Sequence, residues 1–151
     1  MRHAKLLAAG IVLSGAAFCT AALAADAAAP DVLHPKAPPG AKVSFDGLKD
    51  GATVGPEFTV TFLAEKIAVA PSTDSKPNTG HHHLLIDVKD PPAAGVPIPN
   101  DDTHKHYGKG QTTDTLHLSP GDHTLQLEFA NAAHVPFEPR IESKKITVHV
   151  K

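Results

Sequence analysis

The sequence predicts an all-β protein, an immunoglobulin-like antiparallel β-sandwich of about seven short strands. Three observations point there. Short segments with an apolar residue at every second position recur along the chain. Clusters of Gly, Pro, Asn and Asp separate them, and no segment has the spacing of an amphipathic helix.

The first expected strand is Ala41–Phe45, turned by Asp46-Gly47. Phe58 to Leu63 follows, with Phe58, Val60 and Phe62 on one face and Pro56 at a position a strand start tolerates. Lys66 to Ala70 reads as a short strand ended by Pro71. His83 to Val88 is the most apolar run, with Leu84, Ile86 and Val88 sharing a face and His82 pointing with them. Leu116-His117-Leu118 leads into the turn Ser119-Pro120-Gly121-Asp122. His123, Leu125, Leu127 and Phe129 then point inward, and Ile146, Val148 and Val150 do so at the close of the chain. Between these strands lies one long segment, Asp90 to Thr113, with four prolines and no period. A segment of this length inside a compact domain is functional or disordered as a rule. Its His104-Lys105-His106-Tyr107 string favours an ordered loop, functional or structural, packed on the sandwich.

The N-terminus has the three parts of a secretory signal: basic Arg2 and Lys5, an apolar stretch from Leu6 to Phe18, and Ala22-Leu23-Ala24. Residues 1–24 are expected to be removed, with Ala25 as the alternative cut. Phe18 before Cys19 is too bulky for a lipoprotein cut. Residues 25–40, rich in Ala and Pro, read as a flexible lead-in, and 41–151 as a single β-sandwich domain. The processed chain is therefore expected in the periplasm or outside the cell, with no membrane span.

Cleavage would leave 12 basic against 16 acidic residues and remove the single Cys and single Met. Without sulfur there is no disulfide, thiolate nucleophile, iron–sulfur cluster or c-type haem attachment. The net charge of the whole chain, −2, gives no footprint for nucleic acid. A hydrophobic fraction of 41% excludes intrinsic disorder. Gly108-Lys109-Gly110 lacks the spacing of a phosphate loop, so no nucleotide is expected. No Ser-His-Asp string and no paired glutamates mark a catalytic centre, and the chain is read as a non-enzyme.

Histidine is in excess, at 11 of 151 residues. Residues two apart on a strand share a face, roughly 6.5–7 Å apart at the backbone. His81 and His83 can thus converge on one ion, and His104 and His106 repeat the spacing if their segment is extended. His134 or Asp87 would add a fourth or fifth ligand. Without sulfur the available ligands are imidazole and carboxylate; imidazole suits Zn²⁺, Cu²⁺ and Ni²⁺, and Cu²⁺ or Zn²⁺ is the expected ion. In the competing reading the histidines are structural, and the domain is an envelope module that binds protein or glycan. His82, His123, Tyr107, Gly108, Gly110 and Gln111 are expected to support the fold or the site. His123 would anchor a backbone corner and Tyr107 would pack the loop on the sandwich. Asp101 and Asp102 are expected to solvate that loop, and His34, His117 and His149 to be surface residues.

Three strings together carry a resemblance: Asn78-Thr79-Gly80-His81-His82-His83-Leu84-Leu85-Ile86-Asp87, His106-Tyr107-Gly108-Lys109-Gly110-Gln111-Thr112, and Leu118-Ser119-Pro120-Gly121-Asp122-His123-Thr124-Leu125-Gln126-Leu127. The chain resembles, over about Val43 to Val150, a family of small exported bacterial proteins catalogued as a domain of unknown function. The resemblance implies export and a compact β-domain, and no activity. Its hallmark residues map to His81, His82, His83, Asp87, His106, Gly108, Lys109, Gly110, Gln111, His123 and His134. The family pattern implies an acidic residue before His134, where this chain has Asn131, and a later histidine near Phe137. If those positions are ligands, the site here is weakened.

Overall fold

The structure, a computed structural model, describes residues 31–151; the signal-peptide segment and the start of the lead-in lie outside the described residues. Nine strands and no helix occur among the described residues: β1 (Lys42–Phe45), β2 (Ala52–Val54), β3 (Glu57–Glu65), β4 (Ala68–Val69), β5 (Thr79–Ile86), β6 (His104–His106), β7 (Thr113–His117), β8 (Gly121–Ala130) and β9 (Ile146–Val150). They form two sheets, one in the order β1-β3-β7 and a larger one in the order β2-β9-β8-β5-β4, with β6 also on β5. All pairings are antiparallel except two at the margins, β2 with β9 and β4 with β5.

Alternation builds the core. Val43, Val60, Phe62 and Leu116 of the smaller sheet face Leu84, Ile86, Leu125, Leu127, Phe129 and Val148 of the larger, each buried. Two strands were not expected from the sequence. β2 is three residues long and is held by its parallel register with Ala52 opposite Val148. β6 forms inside the long proline-rich segment, because β5 offers it a free edge at Leu85, Leu84 and His83.

β5 is the central strand, and every residue from Gly80 to Ile86 is buried. A strand covered on one face shows alternating burial, so burial of both faces needs a second cover. On the outer face that cover is the 88–103 loop and the turn at residues 131–134. The Ile98 N–H donates to the His134 carbonyl at 2.8 Å, and Arg140 donates to both the Pro92 carbonyl and Glu128. The lead-in, expected to be flexible, is tied down in its described part. Ala37 N–H donates to Glu138 O at 2.9 Å, Glu138 N–H to Pro35 O at 2.7 Å, and the Asn131 amide to Val32 O at 2.8 Å. Extended backbone with few side-chain signals gives no sign in the sequence of the partners it takes.

Candidate metal centre

The period of two divides the three histidines of β5. His82 turns inward, its ring 5.3 Å from Phe62 and 5.0 Å from Phe129. His81 and His83 turn outward, into the space beneath the cover, at 0% and 1% exposure. Their Nε2 atoms are 3.1 Å apart. Register places His106 of β6 directly opposite His83.

The turn after β8 brings in His134, whose ring centroid is 4.5 Å from that of His106 and 5.1 Å from that of His81. That turn is built by Asn131. Its Oδ1 accepts the N–H groups of Ala133 and Val135, both at 3.0 Å, and its carbonyl accepts the His134 N–H at 2.9 Å. His134 sits at φ 65°, a left-handed conformation that costs free energy in a non-glycine residue. Asn131 therefore supports this centre through the backbone, a role an amide fills as well as a carboxylate.

One nitrogen each from His81, His83 and His106 lies within 4.8 Å of the other two. Two nitrogens bound at about 2.0–2.1 Å to one tetrahedral ion stand roughly 3.3 Å apart. The 3.1 Å separation of His81 and His83 is close to that geometry. Burial holds the rings neutral. It pushes His81 down to about 3, with the neighbouring His106 and His134 adding to the effect, and His83 to about 2, with His81 next to it. His106 is lowered by burial and by His134. Neutral imidazole is the form that offers a lone pair. His81 Nδ1, His83 Nδ1 and His106 Nε2 are buried with no hydrogen-bond partner among the described residues. Structural histidines in a packed interior normally have their ring nitrogens satisfied.

The supporting residues hold β6 and its loop. Gly108 gives room for the His106 ring, since a Cβ there would fall 2.2 Å from Cε1 and 2.3 Å from Nε2. Gly110 occupies φ 79° in the turn, and Gln111 Oε1 accepts the Lys109 N–H at 2.9 Å. Tyr107 is buried against Phe62 at 4.8 Å and donates its hydroxyl to Asp114 at 2.9 Å.

Two expected ligands stand elsewhere. His104 shares the face of His106, but its Nδ1 is 2.9 Å from Asp101 Oδ1 and 3.0 Å from Thr103 Oγ1, which fixes the bend before β6. Asp87 leaves the strand at φ 57°. Its Oδ1 accepts the Thr124 N–H and its Oδ2 meets His123 Nδ1, both at 2.7 Å. The chain turns one residue too early for Asp87 to continue the outward row of His81 and His83. Strand alternation alone does not reveal that turn.

His123 completes a clamp, with Nε2 3.0 Å from the Ser119 carbonyl and 3.5 Å from the Ser119 hydroxyl. Ser119, His123 and Asp87 have the residue types of an acyl-transfer triad. However, the ring nitrogen that would act as base faces a carbonyl at hydrogen-bond distance, and Pro120 supplies no N–H for an oxyanion. The arrangement ties the turn before β8 to the end of β5. His117 is exposed beside Glu57, as a surface residue should be.

Sequence reasoning missed Glu128 and Arg140. Alternation puts Glu128 on the face away from the core, where a carboxylate normally meets water. Here that face is covered and Glu128 is 1% exposed, its carboxyl pushed up to about 7 by burial while Arg140 opposes the shift. No helix among the described residues is long and apolar enough to cross a membrane.

No curated protein and no solved structure matches the chain. One family does, across residues 60–151, a stretch that holds β5 to β9 and all four clustered histidines. The chain belongs to that family, described as "Domain of unknown function (DUF4399)".

Proposed function

We propose that this protein binds a divalent transition metal ion, copper(II) or zinc, at His81, His83 and His106, with His134 as the fourth ligand. It would serve as an exported carrier, buffer or sensor of that ion. The observation that carries the reading is the 3.1 Å approach of two buried Nε2 atoms with a third imidazole nitrogen in reach. The donor set fits the chemistry. Nitrogen-only ligands suit Cu²⁺ and Zn²⁺, and copper(II) would bind tighter at the same site, so supply in the cell decides between them. His106 Nε2, buried without a protein partner among the described residues, adds support for an ion over a purely structural role.

The test is calorimetric titration of chelator-stripped protein with Zn²⁺ and Cu²⁺, beside a His81→Ala, His83→Ala double variant and a His117→Ala control. Saturable one-to-one binding at or below about micromolar, lost in the double variant and kept in the control, is expected. Weak multi-site uptake that the double variant leaves unchanged would refute it. The rings would then be loop-fixing groups of an envelope module for protein or glycan.

A further inference from the structure

The four clustered rings arrive from three elements. β5 gives His81 and His83, β6 on one flank gives His106, and the turn after β8 on the other flank gives His134. The ring centre of His81 is 4.9 Å from those of His83 and His106 and 5.1 Å from that of His134. That of His83 is 5.2 Å from His106 and 5.9 Å from His134, and the last pair, His106 and His134, is 4.5 Å apart. An imidazole centre lies close to the line of its own Cβ–Cγ bond. Turning the ring about that bond changes which atoms face inward and leaves the centre in place. The six distances therefore record the shape of the site whichever nitrogens point into it.

Two shapes are open to four nitrogen ligands. An ion bound to a ring nitrogen at 2.0–2.1 Å stands about 3.2 Å from the ring centre. Four centres at that radius are all about 5.2 Å from one another in a tetrahedron. In a square, four spacings are about 4.5 Å and the two diagonals about 6.4 Å. Every observed distance lies within about 0.7 Å of the tetrahedral value. The best pair of diagonals for a square would be His81 with His106 and His83 with His134, at 4.9 and 5.9 Å. One of them is about 1.5 Å too short. The sheet resists flattening, because His106 is held in register opposite His83 on the strand that also carries His81.

We propose that this centre is a closed tetrahedral zinc site, with His81, His83, His106 and His134 filling all four positions. The inference rests on reading the histidine group as a metal centre and names the ion its shape favours. Imidazole as such favours copper(II) over zinc, but copper(II) prefers a square or tetragonal set, and this shape works against it. Zinc has no directional preference from its d electrons and loses nothing in a tetrahedron. Catalytic zinc keeps one position open for water or substrate. Here protein occupies all four, so the centre holds its ion without activating water on it.

The experiment loads chelator-stripped protein with Co²⁺, whose visible bands are strong and blue in a tetrahedral site and faint and pink in a six-coordinate one. Azide is then added, zinc is used to displace the cobalt, and a Cu²⁺-loaded sample is examined by electron paramagnetic resonance. The expected result is a blue spectrum that azide leaves unchanged and zinc abolishes at one equivalent, with a copper signal whose parallel hyperfine splitting is compressed from that of a square four-nitrogen site. His134→Ala should weaken zinc at least about tenfold, since loss of even a supporting group costs 10–100-fold. Its cobalt spectrum should now shift with azide. A six-coordinate cobalt spectrum, an azide shift in the wild type, or an ordinary square copper signal overturns the proposal and leaves the metal reading standing. Zinc affinity in His134→Ala within about threefold of wild type also overturns it. Should that variant not fold, the wild-type spectra decide alone. Uptake of neither cobalt nor zinc overturns the metal reading and this one with it.

Discussion

Replacing His82 by leucine is expected to stabilise the protein, although it breaks a triplet of histidines. The ring is fully buried between Phe62 and Phe129, and neither of its nitrogens has a hydrogen-bond partner among the described residues. A buried donor or acceptor left unpaired costs about 1–3 kcal/mol, and neutral imidazole carries one of each. Leucine removes both at similar volume. Against that gain stand the lost ring–ring contacts, about 0.5–1.5 kcal/mol each, and some mismatch of shape. The balance is a gain of about 1–2 kcal/mol, or several degrees in Tm. The assay is urea unfolding in the presence of chelator, where the midpoint should rise with an unchanged slope. A loss of more than about 1 kcal/mol would refute the reasoning, because it would mean that the ring nitrogens are satisfied. Zinc affinity should stay as in the wild type, since His82 points to the other side of β5.

Gly108→Ala is expected to keep the fold and damage the site. The new Cβ collides with the far end of the His106 side chain, so the ring swings away, and zinc affinity should drop by at least about tenfold in a competition titration. In Gly80→Ala the Cβ would lie 2.3 Å from the Ala130 carbonyl oxygen and 2.8 Å from the Phe129 ring. Backbone cannot step aside as a ring can, so a loss of about 2–3 kcal/mol in thermal or urea unfolding is expected, and an unaffected midpoint would contradict the packing described. Asp87→Asn weakens the clamp on His123, whose pKa is raised by its bond to Asp87, helped by the Ser119 carbonyl. A raised folded-state pKa contributes stability that is present below about 6.5 and fades as pH rises through the folded value. The variant should therefore lose about 1 kcal/mol at pH 6 and distinctly less at pH 9, a small figure because the pair is partly exposed. A loss that grows with pH would show that the charged pair is not the cause.

Much of the sheet was legible in the sequence because a strand covered on one face alternates, and the pattern survives whatever lies around it. Phe58, Val60 and Phe62, or Ile146, Val148 and Val150, announce their inward face by position alone. The same rule correctly separated His82 from His81 and His83. It did not reveal β2 or β6, which are three residues each and exist because longer strands offer them an edge. Nor did it reveal that the outer face of β5 and β8 is buried, so Glu128 passed for a solvated carboxylate.

The sequence by itself determined the all-β class, the inward residues of the main strands and which histidines form pairs, since these follow from a backbone period that needs no partner. Tertiary structure alone decided which pairs meet. Register set His106 opposite His83, and the Asn131 turn delivered His134 to the same space. An early left-handed turn took Asp87 away to His123, while Asp101 held His104. These outcomes depend on hydrogen bonds between residues far apart in the chain, such as His123 with Asp87, 36 positions apart, and the Asn131 amide with the Val32 carbonyl, 99 apart. Spacing along the chain does not encode contacts of that range.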